Sequence, residues 1–244
     1  MDRVFLFGVP IDALSTDEVQ ERLHSFLDIE VGKHVLTPNS EMLVDSVKNK
    51  EFRQVLKGSA LNIPDSAGLL FMARATRQKL PERVTGVDTV QLLCASLTPE
   101  HPVFLLGAGE GVAEKAGEVL KRRNPSLVIV DTFSGSPRLS EEDVICERIN
   151  KSGAHILLVA YGAPKQDLWI ARNIIKLSHV RLAMGVGGTF DFLAGTRKRA
   201  PRIMQRIGLE WLWRLILEPS RIGRIFKAVI VFPFFVLRYG RKEP

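Results

Sequence analysis

The sequence has few of the residues that build disulfide frameworks or metal centres. Its two cysteines, Cys94 and Cys146, lie in apolar helical patterns, so we expect free thiols in a reducing compartment. The five histidines are scattered without zinc-site spacing. No two aspartates stand two residues apart, so the Asp-x-Asp pair that holds a metal beside a nucleotide-sugar is missing. Gly-x-Ser-x-Gly and Gly-Lys-Ser/Thr motifs are absent as well, which argues against serine hydrolases and P-loop enzymes.

Long apolar runs are also lacking. The longest late run, residues 228–237, is interrupted by Pro233, whereas a helix that crosses a bilayer needs about 20 apolar residues. Residues 3–9 read as a first strand and lack the basic and apolar regions of a secretory signal. We therefore expect a cytoplasmic protein without a spanning helix.

The positive charge is concentrated in a C-terminal tail. The formal net charge is +7, and residues 196–244 carry 12 of the 34 basic residues but 3 of the 27 acidic ones. Such a tail predicts an anionic partner: a membrane surface, nucleic acid or a phosphorylated substrate. For 221–242 we favour the membrane, because Phe232, Phe234 and Phe235 adjoin basic residues without the polar interleaving of nucleic-acid stacking platforms. For 202–218, a helix that closes the core or a dimer interface is an equally good interpretation.

Short apolar runs alternate with helix-period segments, which predicts an α/β protein. We expect a Rossmann-like, mostly parallel sheet with helices on both faces, followed by a C-terminal amphipathic helical appendage. The predicted division is a core at 1–195, with halves at about 1–100 and 101–195, and an appendage at 196–244. The expected strands are 3–9, 34–37, 60–63, 102–107, 126–131, 155–161 and 180–186. The expected helices are 16–28, 40–48, 51–57, 67–77, 87–97, 111–123, 140–151, 165–177, 201–217 and 221–238.

Polar residues follow the predicted strands of the first half. Asp65 comes directly after an apolar run and Pro64, where it either caps the next helix or faces a ligand crevice. Thr37 and Asn39 offer groups suited to sugar hydroxyls, although Asn39 or Ser40 can also cap a helix.

The segment Arg83 to Asp88 precedes another helix and also has two interpretations. Thr85 or Asp88 can cap that helix. Alternatively, Arg83 binds an anion while Gly86 allows close backbone approach.

The second half has three glycine-bearing strand ends, which favours a nucleotide site. Gly107 and Gly109 precede a helix whose N-terminus suits a phosphate, but Val112 breaks the dinucleotide fingerprint. Lys165 and Gln166 open a helix after the second strand end, where the lysine hints at a phosphate or uracil ligand and a solvated side chain is the alternative. The third strand end carries Gly187, Gly188 and Asp191.

Together these motifs resemble the WecG/TagA/CpsF glycosyltransferases, glycosyltransferase family 26. The similarity runs in order along almost the whole chain and is carried by Thr37-Pro38-Asn39, Pro64-Asp65-Ser66, residues 83–88, residues 161–166, residues 185–192 and the run 200–214. The resemblance implies transfer of an N-acetylmannosamine-type sugar from UDP to N-acetylglucosamine-diphospho-undecaprenol, with inversion and a β-1,4 link. It implies no metal or other cofactor. The branch resembled most closely starts the wall teichoic acid linkage unit.

The resemblance also implies roles for these residues. Asp65 is the expected general base, Thr37 and Asn39 orient a sugar, and Arg83 is the fourth expected catalytic residue. The expected UDP and substrate contacts are Thr85, Gly86, Asp88, Gly107, Gly109, Lys165, Gln166, Gly187, Gly188 and Asp191. Tail residues Arg214, Arg221 and Arg224 are expected to reach pyrophosphate or the membrane. The implied partners are the UDP-sugar, the lipid-linked acceptor, the inner face of the cell membrane and further copies of the chain, but not nucleic acid.

Three other functions fit parts of the sequence. A relative of the same family could transfer the uronic acid form or another UDP-hexose. An NAD-dependent oxidoreductase is supported only by the β–α pattern and the glycine turn at Gly107. A non-enzymatic membrane or nucleic-acid binding module is supported by the tail, but it leaves the polar strand ends unexplained.

Overall fold

A computed structural model describes residues 2–244, without the Arg206 side chain. The strands are β1 (Arg3–Leu6), β2 (Val9–Asp12), β3 (Lys33–Leu36), β4 (Leu61–Asn62), β5 (Val103–Gly107), β6 (Ile129–Phe133), β7 (Ile156–Ala160) and β8 (Leu182–Gly185). The first helices are α1 (Thr16–Leu27), α2 (Ser40–Lys48), α3 (Lys50–Gly58), α4 (Ala67–Ala75), α5 (Gly86–Ser96), α6 (Val112–Arg123), α7 (Glu142–Ser152), α8 (Lys165–Asn173) and α9 (Thr189–Leu193). The tail adds α10 (Arg202–Arg206), α11 (Glu210–Leu217), α12 (Ile222–Phe226) and α13 (Phe232–Tyr239).

The centre of the molecule is a six-stranded parallel sheet in the order β4-β3-β8-β7-β5-β6. Helices α1, α5, α6 and α9 cover one face, and α2, α3, α7 and α8 cover the other. Burial on both faces explains why a central strand such as β7 is continuously apolar. The predicted α/β, Rossmann-like class is therefore confirmed.

The predicted first strand at 3–9 is wrong. Residues 3–6 form β1 and Val9 begins β2, and the two strands make an antiparallel hairpin outside the main sheet. The chain reverses at Phe7 and Gly8, both with positive φ (35° and 82°), a conformation that glycine adopts readily. The hairpin packs with α2, α3 and α4 in a core of its own.

Two predicted tail helices are also interrupted. The segment 201–217 is divided into α10 and α11 at Gly208, which has a φ of 77°. The segment 221–238 contains a π-helical turn, Lys227–Val231, just before Pro233, and a proline removes a backbone donor from the helical ladder. Helix α9 was not predicted, because the glycines before it indicated only a turn. Strand β6 begins three residues later than expected.

The tail shares a core with the hairpin. Phe232 and Val236 of α13 are fully buried, and the Phe232 ring packs edge-on against Phe7 with centroids 5.9 Å apart. The expectation that Phe232 faces a membrane is therefore wrong, whereas Phe234 is 57% exposed. The division at residue 195 stays a prediction. Among residues 2–244, no helix is both long and apolar enough to span a bilayer.

Candidate active site

The polar motifs of the two halves meet along one edge of the sheet. The six strands are parallel, so their C-terminal ends lie on the same side. Thr37 follows β3 and Asp65 follows β4, while the glycine turns follow β5, β7 and β8. Because β3 pairs with β4 on one side and β8 on the other, the segment of Thr37 lies between that of Asp65 and the glycine turn after β8. This is where open parallel sheets bind their ligands.

Asp65 does not cap the following helix. Helix α4 begins at Ala67, its N-cap residue is Ser66, and no side-chain hydrogen bond caps it. The backbone of Asp65 is fixed instead by its N–H, which donates to the Pro38 carbonyl at 3.0 Å. The carboxyl group is therefore left for the crevice, where the nearby backbone N–H of Gly86 favours its ionised form and so lowers its pKa.

Charged groups from the core and the tail converge on Asp65. Burial raises the pKa of the Asp65 carboxyl to about 7, although the positive charges of Arg214 and Arg83 oppose this rise and Glu210 adds to it. A carboxyl with a pKa near neutrality suits proton transfer, because it is readily deprotonated and still basic enough to accept a proton. Arg214 comes from α11, so the tail contributes directly to the electrostatics of this carboxyl.

Thr37 and Asn39 have different surroundings. Thr37 is buried beside Gly86, where an added Cβ would stand 3.2 Å from the threonine Oγ1. Any larger residue at position 86 therefore crowds Thr37 and the N–H that reaches Asp65. The Oδ1 of Asn39 accepts from the Met42 N–H at 3.0 Å, so its oxygen caps α2 as the alternative interpretation expected.

The segment around Arg83 is tied to the tail by two ion pairs. Arg83 donates to Glu210 at 2.9 Å, and Arg199 donates to both oxygens of Asp88 at 2.6 and 2.8 Å. Thr85 caps α5 by accepting from the Asp88 N–H, as predicted. Burial opposes ionisation of Asp88, but hydrogen bonds from Arg199 and Thr85 outweigh it and lower the pKa. The Asp88 carboxylate is thus already paired with the Arg199 guanidinium group.

In the second half, Gln166 connects two glycine turns. Its Oε1 accepts from the Gly162 N–H at 3.0 Å and from the Gly187 N–H at 2.9 Å. Gln166 is buried, whereas the neighbouring Lys165 is exposed. The Gln166 carbonyl thus sets the relative positions of the turns after β7 and β8.

The turn after β5 also lies close to its neighbour. Gly107 has a φ of 97°, and an added Cβ would stand 2.8 Å from the Ala160 carbonyl carbon. Gly109 follows on the surface, and Gly188 is the N-cap of α9. These turns expose backbone rather than side chains at the sheet edge, which suits a phosphate-bearing ligand.

The tail spans the two halves. Arg214 lies over the Phe192 ring, with its guanidinium carbon 5.2 Å from the ring centroid. Arg197 approaches Asp191 at 3.9 Å and Glu218 at 3.7 Å. These contacts place α11 across the sheet edge that carries Asp65.

The other two predicted tail arginines are paired. Arg221 pairs with Glu218, and Arg224 donates to Glu41 of α2 at 2.7 Å. The sequence analysis missed Glu210, Phe192 and Arg199 as site residues. The regular spacing of Glu210, Arg214 and Glu218 was the signal that could have found Glu210.

Comparison with known proteins decides the family. A profile described as "Glycosyl transferase WecG/TagA/CpsF family" matches residues 4–244. The chain belongs to this family. It is also 29% identical over 219 residues to a Bacillus subtilis (strain 168) protein named N-acetylglucosaminyldiphosphoundecaprenol N-acetyl-beta-D-mannosaminyltransferase. That similarity covers 89% of this chain and 83% of the relative. The protein is therefore a glycosyltransferase, and the predicted family is confirmed.

Beside the active site, this glycosyltransferase has a cleft of about 630 Å³ that we call the arginine cleft. It lies between α5, α6, α9 and α10. Its lining is formed by Arg83, Val87, Asp88, Gln91, Val119, Arg123, Phe192, Leu193, Arg199, Arg202 and Gln205. Four arginines and a single carboxylate make it strongly positive, so it suits an anion.

Beneath the loop held by Gln166, the glycosyltransferase buries a second acidic group, Asp167. Its Oδ1 is 3.9 Å from the Nε2 of His34, and these polar atoms have no hydrogen-bond partner among the described residues. Burial raises the pKa of Asp167 to about 7 and lowers that of His34 to about 3. Between about pH 3 and pH 7, the folded pair is therefore a neutral carboxylic acid beside a neutral imidazole.

Single substitutions in this pair are expected to have opposite pH effects on stability. Below pH 7 the folded Asp167 keeps a proton that the unfolded carboxyl releases near pH 4, so its contribution to stability falls as pH rises. Folded His34 lacks a proton that the unfolded imidazole holds below about pH 6.5, so its contribution rises with pH. In the wild type, the two slopes cancel between about pH 4 and 6.5.

As pH rises over this range, the unfolding free energy of Asp167→Asn is thus expected to increase relative to wild type by about 1.4 kcal/mol per pH unit. The unfolding free energy of His34→Gln is expected to decrease by a similar amount. Urea unfolding at several pH values measures both slopes, with the exposed carboxyl variant Asp143→Asn as the control. Parallel curves for both variants and wild type would show that the folded pair is not neutral.

Proposed function

We propose that this glycosyltransferase moves N-acetylmannosamine from its UDP derivative to N-acetylglucosamine on diphospho-undecaprenol, an early step of wall teichoic acid linkage-unit synthesis. The observation that carries the proposal is Asp65, a partly buried carboxyl at a strand end that feels the charges of arginines from core and tail. The name of the Bacillus subtilis relative describes this donor sugar and this acceptor, which supports the choice of substrates.

In the proposed reaction, Asp65 accepts the proton of the acceptor 4-hydroxyl while the hydroxyl oxygen attacks the anomeric carbon of the donor sugar. The bond from that carbon to the UDP oxygen breaks, and UDP leaves with the electron pair. Attack from the face opposite UDP inverts the configuration and gives a β-1,4 link. The proton remains on Asp65 until solvent removes it, and a pKa of about 7 allows both steps.

The departing UDP gains negative charge, which arginine side chains are suited to stabilise. The charges of Arg214 and Arg83 lower the pKa of Asp65, and Arg221 and Arg224 interact electrostatically with Arg214. We propose that these groups supply the positive charge that other transferases obtain from a metal ion. The glycine turns at Gly107, Gly109, Gly187 and Gly188 then receive the nucleotide.

Thr37 is proposed to orient a sugar hydroxyl beside Asp65. Gln166 is proposed to hold the glycine turns in place, since its carbonyl oxygen already accepts two backbone hydrogen bonds. Lys165 and Asp191 remain proposed nucleotide contacts at the same sheet edge.

The exposed apolar residues of the tail support contact with a membrane surface. Their positions recur at intervals of three or four along one stretch: Ile222, Phe226, Ile230, Phe234 and Leu237. With basic residues beside them, they fit the headgroup boundary of an anionic bilayer. Self-association stays a prediction.

A direct assay tests the proposed reaction. The enzyme is incubated with a short-chain N-acetylglucosamine-diphospho-prenol and each of several UDP-sugars, in EDTA, and released UDP is measured. We expect acceptor-dependent UDP release from UDP-N-acetylmannosamine at the same rate with and without EDTA. UDP release only from the uronic acid derivative would show that this sugar is the donor instead. Activity that EDTA abolishes would contradict the role given to the arginines.

A further inference from the structure

The arginine cleft carries two positive charges that the protein does not compensate. Arg83 pairs with Glu210 and Arg199 pairs with Asp88. Arg123, by contrast, donates to the neutral amide of Gln91. Arg202 has no ion-pair or hydrogen-bond partner in the described part of the chain. Two guanidinium charges without a carboxylate partner among the described residues match the charge of a diphosphate diester.

The cleft opens beside the proposed general base. Arg83 and Arg199 line it, and both interact electrostatically with the Asp65 carboxyl. A diphosphate bound by Arg123 and Arg202 would place a sugar attached to it on the side of the cleft that Arg83 and Arg199 line, toward Asp65. The acceptor has this connectivity, because its N-acetylglucosamine is joined directly to diphosphate.

The helix that carries Arg202 also exposes apolar side chains. Helix α10 contributes Arg202 and Gln205 to the lining, and Ile203 on the same helix is 73% exposed. Ile207, just after this helix, is 62% exposed. A lipid chain that leaves the cleft past α10 would gain apolar contacts there, whereas a nucleoside would gain little. The charge of the cleft and the exposed isoleucines of this segment together favour a prenyl diphosphate over a nucleotide.

We propose that the arginine cleft binds the diphosphate of the lipid-linked acceptor, with Arg123 and Arg202 as its phosphate contacts. The inference rests on the proposed function, because it assigns a place to the acceptor of that reaction. It also separates the substrates: the acceptor diphosphate lies on the α5–α6 side of Asp65, and the donor diphosphate lies at the glycine turns and under Arg214.

Kinetics of single-charge variants test this assignment. In Arg123→Gln and Arg202→Gln, we expect the KM for the short-chain acceptor to rise about tenfold to a hundredfold, since hydrogen bonds to charged groups are lost. The KM for the UDP-sugar stays at its wild-type value. Arg122→Gln removes a neighbouring exposed charge that does not line the cleft, so it is the matched control. A rise in the donor KM instead, or no change in either KM, would overturn the proposal.

A binding measurement separates this inference from the proposed reaction. Calorimetry with farnesyl diphosphate needs no sugar transfer, and we expect binding to wild type and to Arg122→Gln but not to the double variant Arg123→Gln/Arg202→Gln. This result would support the cleft assignment even if wild type transferred no sugar to the acceptor. Equal affinity for the double variant and wild type, or no binding by wild type, would overturn the assignment while sugar transfer by wild type remained possible.

Discussion

Replacing Asp65 by asparagine is expected to lower turnover by a factor of about 100 to 10,000, because the amide cannot accept the acceptor proton. Asparagine has nearly the same shape and keeps a carbonyl oxygen that the nearby Gly86 N–H can still favour. UDP binding is therefore expected to stay at the wild-type level. Steady-state assays and calorimetry with UDP measure the two quantities separately.

The exposed carboxyl of Asp17 in α1 provides a matched control for that experiment. Asp17→Asn removes the same charge from an exposed side chain that has no ion-pair or hydrogen-bond partner among the described residues, and it is expected to keep full turnover. If Asp65→Asn turned over like Asp17→Asn, then Asp65 would not be the base. A loss of UDP binding in Asp65→Asn would instead indicate that the carboxyl shapes the donor site.

The second large effect concerns the attachment of the tail. Phe232→Ala is expected to lower the free energy of unfolding by about 3 to 5 kcal/mol, because it empties a fully buried position beside Phe7. The matched change Phe234→Ala affects a mostly exposed ring and is expected to stay within about 0.5 kcal/mol of wild type. Urea unfolding followed by circular dichroism compares the two variants.

An equal effect of these two substitutions would contradict the shared core of hairpin and tail. The contrast also separates two possible roles of the phenylalanines. Phe234→Ala is expected to weaken binding to anionic liposomes while leaving stability unchanged, because its ring lies in the exposed apolar stripe. Phe232 instead stabilises the fold, because its ring packs in the core against Phe7.

Much of the sheet edge was predictable because its signals are local. The apolar run before Asp65 and Pro64 indicated a strand end, and Thr85 with Asp88 indicated the capped start of a helix. The continuous apolar character of the central strands indicated a parallel sheet buried on both faces. Patterns of this kind depend on residues only a few positions apart.

The remaining features depend on contacts that no local pattern encodes. Arg83 meets Glu210 across 127 residues of sequence, and Arg199 meets Asp88 across 111. Those contacts bring Arg214 to Asp65, where its positive charge opposes the rise in the Asp65 pKa that burial causes. Phe232 reads as a membrane-facing residue beside basic neighbours, because its burial depends on a hairpin more than 200 residues earlier. The helical division at Gly208 likewise follows from the path that the tail takes over the sheet edge.

The pH dependence of kcat/KM for the lipid-linked acceptor is the sharpest test of Asp65 as the base, because burial raises the pKa of this carboxyl and Arg214 of the tail opposes the rise. We expect the wild-type rate to rise with pH and level off above about pH 7, because Asp65 must be ionised in the free enzyme. In Arg214→Gln, the midpoint is expected to shift upward, because a positive charge that favours the carboxylate is removed. A profile that is flat from pH 5 to pH 8, or an unchanged midpoint in Arg214→Gln, would contradict the account.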